Sequence, residues 1–245
     1  VNTGKKLSNS EDFSSQFGQY LCEAAANDRS ICAITEAMQM GTGLTEFAKR
    51  FPDRFFHTGI AEEHAVTFAG GLAAGGMRPV CAIYSTFLQR GYDQIIHDAA
   101  LQNVKVTFAI DRAGVVGEDG ETHQGIFDAA FLNTIPNCTV FSPAYYDELR
   151  KDLQTALYDC EGVFRPYDYQ PSGKAFDLYG DEGAGTVLVT YGRLFSFACE
   201  AFSRWKKQGI SVHIVKLNRI KPVSAGAVEA AKGAKHVFFF EEGIE

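Results

Sequence analysis

The sequence predicts a doubly wound α/β domain followed by a smaller α/β domain, and three observations support this. Short apolar runs alternate with amphipathic segments along the first 165 residues. The runs are rich in β-branched and aromatic residues and almost continuously apolar, as expected for strands buried on both faces of a parallel sheet. A stretch rich in Gly, Pro, Tyr and Asp interrupts this pattern at 165–185, and strand-like and helix-like segments then alternate again.

The first domain is predicted to hold four buried strands with helices between them. The segment after Pro143 is a clear helix start, because acidic residues in a first turn interact favourably with the helix dipole. Strand–helix alternation places the helices on both faces of one sheet. The predicted strands are 31–35, 79–84, 104–111 and 138–143, and the predicted helices are 11–27, 43–51, 61–75, 86–101 and 145–159.

The second domain repeats the alternation on a smaller scale. Its predicted strands are 186–192, 211–217 and 236–242, and its predicted helices are 194–208 and 223–232. The domain bounds are therefore 1–165, a linker at 166–182, and 183–245. Because the last strand looks central and an open sheet edge beside it would be a liability, we expect the second domain to be incomplete at Glu245.

Composition excludes several classes of function. The net charge is −7 with no run of Lys or Arg, so a nucleic-acid partner is not expected. No apolar stretch approaches the roughly 20 residues that span a bilayer, and the first residues lack the apolar core of a signal peptide. The six cysteines are scattered without a CxxC pair. They predict reduced thiols in a cytoplasmic protein, with no metal site.

A carboxylate pair opens the predicted helix 61–75. For Glu63 the helix dipole is a sufficient explanation, worth roughly 0.3–1 kcal/mol. Glu62 directly follows the apolar residues Ile60 and Ala61, so we expect it to be buried. Burial raises the pKa of a carboxyl above its usual value of about 4.3, and such a group can share a proton with a ligand nitrogen.

Glycines in the same helix predict close packing. Each Gly in a helix costs roughly 0.8–1 kcal/mol relative to Ala. Gly70 and Gly71 are explained by the close approach of a second helix, and we expect that helix to come from another subunit. A homodimer through the first domain is therefore predicted.

Two further segments carry candidate functional residues. In "YSTFLQR" (84–90), Ser85 or Thr86 is expected to cap a helix, which places Phe87 and Arg90 on one face; ordinary core burial is an equal alternative for Phe87. The segment "DRAGVVGEDGETHQGIFD" (111–128) follows a strand, is punctuated by glycines and has no helical or strand period. Such loops at the carboxyl ends of parallel strands are where α/β folds bind ligands. A solvated surface loop is the alternative.

The strings "GIAEEHA", "YSTFLQR" and "DRAGVVGEDGETHQG" together resemble the 1-deoxy-D-xylulose-5-phosphate synthases, thiamine-diphosphate enzymes related to transketolase. The resemblance runs from about residue 10 to the C-terminus and is dense from 43 to 150. It implies a transketolase-like pyrimidine-binding domain at 1–165 and a truncated transketolase C-terminal-like domain at 183–245. The implied reaction condenses pyruvate with glyceraldehyde 3-phosphate, with loss of CO2, in isoprenoid and thiamine biosynthesis.

The resemblance also implies roles for individual residues. Glu62 would hydrogen-bond N1′ of the aminopyrimidine, which favours the imino tautomer that deprotonates C2 of the thiazolium ring. His123, with Asp119, would face the reacting carbons. The implied cofactor-binding residues are Ile60, Glu62, Phe87 and Arg90, and the implied substrate-binding residues are Tyr84, Arg112 and Asp119.

Departures from the family pattern bear on the partners. No GDG string occurs, so the domain that holds the diphosphate through Mg2+ is expected on a separate N-terminal domain or subunit, and this chain alone is expected to be inactive. The family usually carries Gln in place of Glu63. A family string "RYPRG" supplies a second phosphate-binding arginine, whereas "VFRPYDYQ" (163–170) offers only Arg165, which matches at best the first Arg of that string.

Two other functions stay open at this point. One is the C-terminal subunit of a split transketolase, which would move two-carbon units between sugar phosphates. The other is a non-catalytic oligomerisation module with the same fold. The presence of Glu62, Phe87, Asp119 and His123 argues against the module, because a decayed site would lose these residues first.

Overall fold

The computed structural model describes residues 12–159 and 174–241, which form two α/β units. The elements of the first unit are α1 Phe13–Asn27, β1 Ile31–Thr35, α2 Thr45–Arg50, β2 Phe55–His57, α3 Glu62–Ala74, β3 Arg78–Tyr84, α4 Ser85–Leu88, α5 Tyr92–Gln94, β4 Thr107–Asp111, α6 Asp128–Thr134, β5 Val140–Phe141 and α7 Tyr146–Gln154. Those of the second are β6 Phe176–Gly180, β7 Thr186–Tyr191, α8 Leu194–Lys207, β8 His213–Leu217, β9 Arg219–Lys221, α9 Ala225–Ala231 and β10 His236–Phe240.

A parallel sheet with helices on both faces forms the first unit, which confirms the predicted fold class. Its strand order is β2-β1-β3-β4. Side chains alternate along β1, so that Ala33 packs with α1, α2 and α7 on one face, while Ile34 packs with α3 on the other. Helices cover both faces of these strands, which explains why the strand sequences are almost continuously apolar.

Two strands of the first unit differ from the prediction. β2 joins the sheet but has only three residues, shorter than the runs that a periodicity argument detects. The predicted strand 138–143 shortens to β5 and lies outside the parallel sheet. β5 pairs antiparallel with β9 of the second unit, so it connects the two units.

The second sheet has the order β10-β7-β8-β6, with β6 antiparallel to its neighbour. β6 falls in the segment predicted as linker, and the altered string 163–170 with Arg165 lies outside the described residues. β10 was expected to be central, but within the described chain it lies at the edge of the sheet, and all five of its residues are exposed. The order of strands depends on tertiary pairing, which the apolar pattern of one strand does not encode.

The predicted helix 86–101 forms as an irregular helical stretch. It consists of α4, a 3-10 turn, α5 and a π-helical segment Ile95–Ala100. This stretch packs against α3, and a Cβ on Gly70 would lie 2.5 Å from the Asp98 carbonyl oxygen. The helix that requires Gly70 therefore comes from the same chain, which corrects the expectation of a second subunit at this residue. A Cβ on Gly71 would meet no atom within 4 Å.

No helix within 12–159 and 174–241 is long and apolar enough to cross a membrane. The five cysteines in this part of the chain have free thiols, four of them buried.

Candidate active site

Glu62 is buried at the start of α3. It is the first residue of the helix and only 3% exposed, whereas Glu63 faces solvent. Gly59, with φ of 72°, allows the turn from β2 into the helix. Arg90 Nη1 donates to Glu62 Oε1 at 3.0 Å. The structure therefore isolates one carboxylate of the pair from water and gives it a single cationic partner.

An aromatic cluster lies beside this ion pair. The guanidinium carbon of Arg90 is 5.5 Å from the centre of the Phe87 ring. Phe87 stacks on Tyr84 with ring centres 6.1 Å apart, and His123 meets Phe87 edge-on at 5.2 Å. Phe87 is partly buried and also packs against the core around Ile83 and Leu88, so it contacts both the candidate site and the core.

Arg112 extends the contacts to the other side of Tyr84. Its guanidinium carbon lies 4.8 Å from the Tyr84 ring centre, and it forms ion pairs with Asp111 and Asp119, both at 2.8 Å. Burial alone would lower the pKa of Arg112, but the two carboxylates outweigh burial and raise it. Its φ of 60° is unusual for a residue other than Gly, and such strain concentrates at functional sites.

The glycine-punctuated segment after β4 is an ordered loop. Gly114 and Gly125 exchange two backbone hydrogen bonds, of 2.7 and 2.9 Å, which close its base. A Cβ on Gly125 would lie 2.2 Å from Ser85 Oγ, so only glycine fits there. The Gln124 amide holds the tip through Val116 and the carbonyl oxygen of Gly120. Arg112, Asp119 and His123 all lie on this loop.

A polar cavity of about 460 Å³ opens beside this loop, which we term the two-domain cavity. It is lined from the first unit by acidic, polar and arginine side chains and from the second unit by Arg193. Its polar and charged lining residues are Asp12, Ser14, Asp111, Arg112, Asp119 and Arg193.

Glu36 is a candidate functional residue that the sequence analysis missed. It directly follows β1, is only 1% exposed, and its Oε1 accepts from the Cys81 thiol at 3.4 Å. Its Oε2 has no hydrogen-bond partner. Burial raises the pKa of Glu36 to about 7, and the negative charge of Glu62 adds to the rise. The sequence signal that could have identified Glu36 is its position as a charged residue directly after a buried strand, where α/β folds bind ligands.

Seven of the eight predicted site residues form one continuous series of contacts. The series runs Glu62, Arg90, Phe87, His123 and Tyr84, Arg112, Asp119 in space, with His123 and Tyr84 in edge-on contact at 6.3 Å. The eighth predicted residue, Ile60, lies outside the series. Ile60 is 84% exposed, so the described chain provides no enclosing pocket for it.

Two family models match the chain. The transketolase pyrimidine-binding domain matches residues 10–164. The chain belongs to the transketolase family. The transketolase C-terminal domain matches residues 179–245. Each of the two units therefore matches one transketolase domain.

Individual relatives confirm the resemblance seen in the sequence. The 1-deoxy-D-xylulose-5-phosphate synthase of Symbiobacterium thermophilum is 47% identical over 92% of this chain, and that of Aquifex aeolicus is 47% identical over 89%. The chain spans 36% of the length of each of these relatives. A solved split gene transketolase, described as an inactive beta4 tetramer, matches with a TM-score of 0.78 at 26% identity, covering 93% of this chain and 78% of that chain.

The site fits the pyrimidine end of thiamine diphosphate. A buried carboxylate and an aromatic ring are joined through Arg90, and the buried Glu36 Oε2, whose carboxyl feels the charge of Glu62, lacks a hydrogen-bond partner. Such an oxygen can receive the polar edge of a heterocycle. Among the described residues, no group of three or more His, Cys, Asp or Glu could hold a metal ion.

Proposed function

We propose that the chain is the C-terminal part of a 1-deoxy-D-xylulose-5-phosphate synthase-like enzyme. The whole enzyme would condense pyruvate with glyceraldehyde 3-phosphate, with loss of CO2, using thiamine diphosphate. The observation that carries the proposal is the contact series from buried Glu62 to Arg112. Identity of 47% to proteins of that name supports it.

Glu62, Phe87 and Arg90 would act on the cofactor. Thiamine diphosphate, when bound, supplies the nucleophilic carbon that attacks the keto acid. Glu62 holds and returns the proton at the pyrimidine N1′ position, and the ion pair with Arg90 orients its carboxylate. Phe87 offers an aromatic face to the pyrimidine ring. Ile60 would reach the cofactor only in the assembled enzyme, because it is exposed in this chain.

The other residues would act on the substrates. Tyr84 and Arg112 bind the phosphate of the aldehyde, and the planar fork of Arg112 suits a phosphate group. His123 moves protons at the reacting carbons, with Asp119 nearby to orient the hydroxyl groups. Arg112 must then exchange part of its contact with Asp119 for the phosphate.

An N-terminal domain or subunit would complete the site. We infer that it holds the diphosphate and Mg2+, because the relatives are much longer than this chain. Charged contacts to phosphate groups supply a large part of the affinity for such cofactors.

The isolated chain is expected to be inactive and to bind thiamine diphosphate more weakly than micromolar. The reason is that the chain would contact the pyrimidine end alone. Calorimetric titration of the chain with thiamine diphosphate and Mg2+ measures this. A micromolar dissociation constant for the chain by itself would contradict the prediction.

A homodimer is proposed through the first unit, with α3 near the two-fold axis. Gly71 is exposed, and a side chain there meets open space within the chain. Gly71→Leu should therefore leave the fold intact and disturb only a contact with a second copy. We expect a shift from dimer toward monomer or aggregate in sedimentation velocity experiments.

Gly70→Leu is the matched control for damage inside the chain. The new side chain would collide with the Asp98 carbonyl, and overpacking of this kind typically costs about 1–3 kcal/mol. The thermal unfolding temperature should fall for Gly70→Leu and stay unchanged for Gly71→Leu. A Gly71→Leu protein that remains dimeric would show that α3 is not at the interface.

A split transketolase is the second candidate function. The structural match to a split gene transketolase, which covers most of both chains, favours it. The two functions differ in their donor substrate. In the reconstituted enzyme, CO2 release from pyruvate supports the first, whereas two-carbon transfer from a ketose phosphate without CO2 supports the second.

A further inference from the structure

Arg193 is anchored at the place where the two units meet. It follows β7 through Gly192, whose φ is 55°, and it directly precedes α8. A Cβ on Gly192 would lie 2.7 Å from Ser142 Oγ of the first unit. Ser142 N also donates to the Asn218 carbonyl oxygen at 3.2 Å, next to the pairing of β5 with β9. The backbone from which the Arg193 side chain extends is therefore held close to the first unit.

The Arg193 side chain contacts the loop that carries three of the predicted site residues. Its Nη2 donates to the Val115 carbonyl oxygen at 2.7 Å, although the two residues are 78 positions apart in sequence. Val115 and Arg193 both line the two-domain cavity, as do Arg112 and Asp119. Arg193 thus connects the second unit directly to the segment that holds Arg112, Asp119 and His123.

Val115 lies between two internal attachments of this loop. Gly114 and Gly125 exchange the backbone hydrogen bonds that close its base. The Gln124 side chain accepts from Val116 N at 2.8 Å and donates to the Val116 carbonyl oxygen at 2.9 Å. Because Val115 is 52% exposed, packing of its own side chain contributes little to fixing it. The hydrogen bond from the second unit therefore fixes the loop at the position between these attachments.

The charges around the loop favour a cation at this position. Asp111 and Asp119 share the guanidinium of Arg112, so two carboxylates contact one cation. Asp12 lines the same cavity. The Arg193 guanidinium adds positive charge beside these carboxylates, and this attraction needs no anionic ligand.

We propose that Arg193 is a positioning residue: by holding the Val115 carbonyl, the second unit orders the loop that presents Arg112, Asp119 and His123. The contact acts in the free chain before any ligand binds, because its donor and its acceptor both belong to the protein. The effect of this ordering on the reaction rests on the proposed function, whereas the ordering itself does not.

Hydrogen exchange of the full chain, measured by mass spectrometry without ligand, tests the ordering of the loop. Arg193→Ala should speed the exchange of amides in 112–125 roughly tenfold, as expected when local opening no longer breaks a hydrogen bond from a charged donor. Arg193→Lys should restore part of the protection, because it keeps a cationic donor on a long side chain. Arg204→Ala is the control: it removes an exposed arginine of α8 that pairs with Glu200, and should exchange like the parent.

The peptide that contains Ser142 separates ordering of the loop from docking of the units. The Ser142 amide donates across the junction, so its exchange should stay unchanged in Arg193→Ala. Equal exchange of 112–125 in the parent and Arg193→Ala would overturn the proposal. Faster exchange of both the loop and the Ser142 peptide would overturn it as well, because Arg193 would then hold the units together instead of ordering the loop.

The enzyme reconstituted with an N-terminal domain provides a second measurement. Arg193→Ala should raise KM for glyceraldehyde 3-phosphate and leave the rate of C2 proton exchange on thiamine diphosphate unchanged, since Glu62, Phe87 and Arg90 lie outside the loop. Slower C2 proton exchange in this variant would contradict an effect confined to the loop. If the reconstituted parent shows no turnover with pyruvate and glyceraldehyde 3-phosphate, the proposed function fails, while amide exchange still decides the role of Arg193.

Discussion

Replacing Glu62 by Gln is expected to abolish turnover in the enzyme reconstituted with an N-terminal diphosphate-binding domain. Gln keeps the volume of the side chain and can hydrogen-bond a ring nitrogen, but it cannot hold or release the proton. Loss of a general acid/base typically costs 10²–10⁴-fold. Folding should be intact, because Arg90, the cationic partner, is about half exposed and stays solvated. Product formation at saturating substrate measures the effect.

Glu63→Gln is the matched control, one residue away. Glu63 is exposed in the first turn of α3, where its interaction with the helix dipole is worth a fraction of a kcal/mol. Turnover should therefore change little. If Glu63→Gln loses turnover and Glu62→Gln keeps it, the assignment of the site is wrong.

The second large effect concerns stability and pH. Glu36→Gln is expected to stabilise the protein at pH 8 and to leave its stability nearly unchanged at pH 4.5. Burial holds the pKa of Glu36 at about 7 instead of an ordinary 4.5. Between pH 4.5 and 7 the folded protein keeps a proton that the unfolded chain releases, so the free energy of unfolding falls as pH rises from 4.5 through 7. At about 1.36 kcal/mol per pKa unit, the loss is about 3 kcal/mol.

Denaturant unfolding of the parent and Glu36→Gln at several pH values tests this. Asp128 and Asp152 also have raised pKa values because of burial, about 6 and about 7. Both are present in both proteins, so the difference between the two stability curves isolates Glu36. Glu46→Gln, at an exposed carboxylate of α2, should show no gain at pH 8. A constant difference between parent and Glu36→Gln from pH 4.5 to 8 would contradict a proton held by Glu36.

Much of the fold follows from local apolar patterning. β1 was predicted with its observed bounds, and the ends of α3 and α8 within one residue, because burial on one or both faces leaves a periodic signal. The pairing of β5 with β9, the edge position of β10 and the short β2 depend on distant strands or on too few residues. No local pattern encodes these features.

Part of the site was also predictable from local sequence spacing. Phe87 and Arg90 lie three positions apart on one helical stretch, so sequence spacing places them together. Glu36 is not predicted because its partner, Cys81, is 45 positions away. That contact arises only when the strands are assembled. Gly70 was noticed as unusual, but its partner helix was assigned to another subunit because a sequence alone does not show which helix approaches.

The most direct test of the central claim is the rate of C2 proton exchange on thiamine diphosphate in the reconstituted enzyme, measured by NMR. This step requires the cofactor and Glu62 but neither substrate, so it separates cofactor activation from substrate binding. We expect fast exchange for the parent and for Glu63→Gln, and exchange slowed by at least about a hundredfold for Glu62→Gln. A Glu62→Gln enzyme that exchanges the proton as fast as the parent would contradict the account.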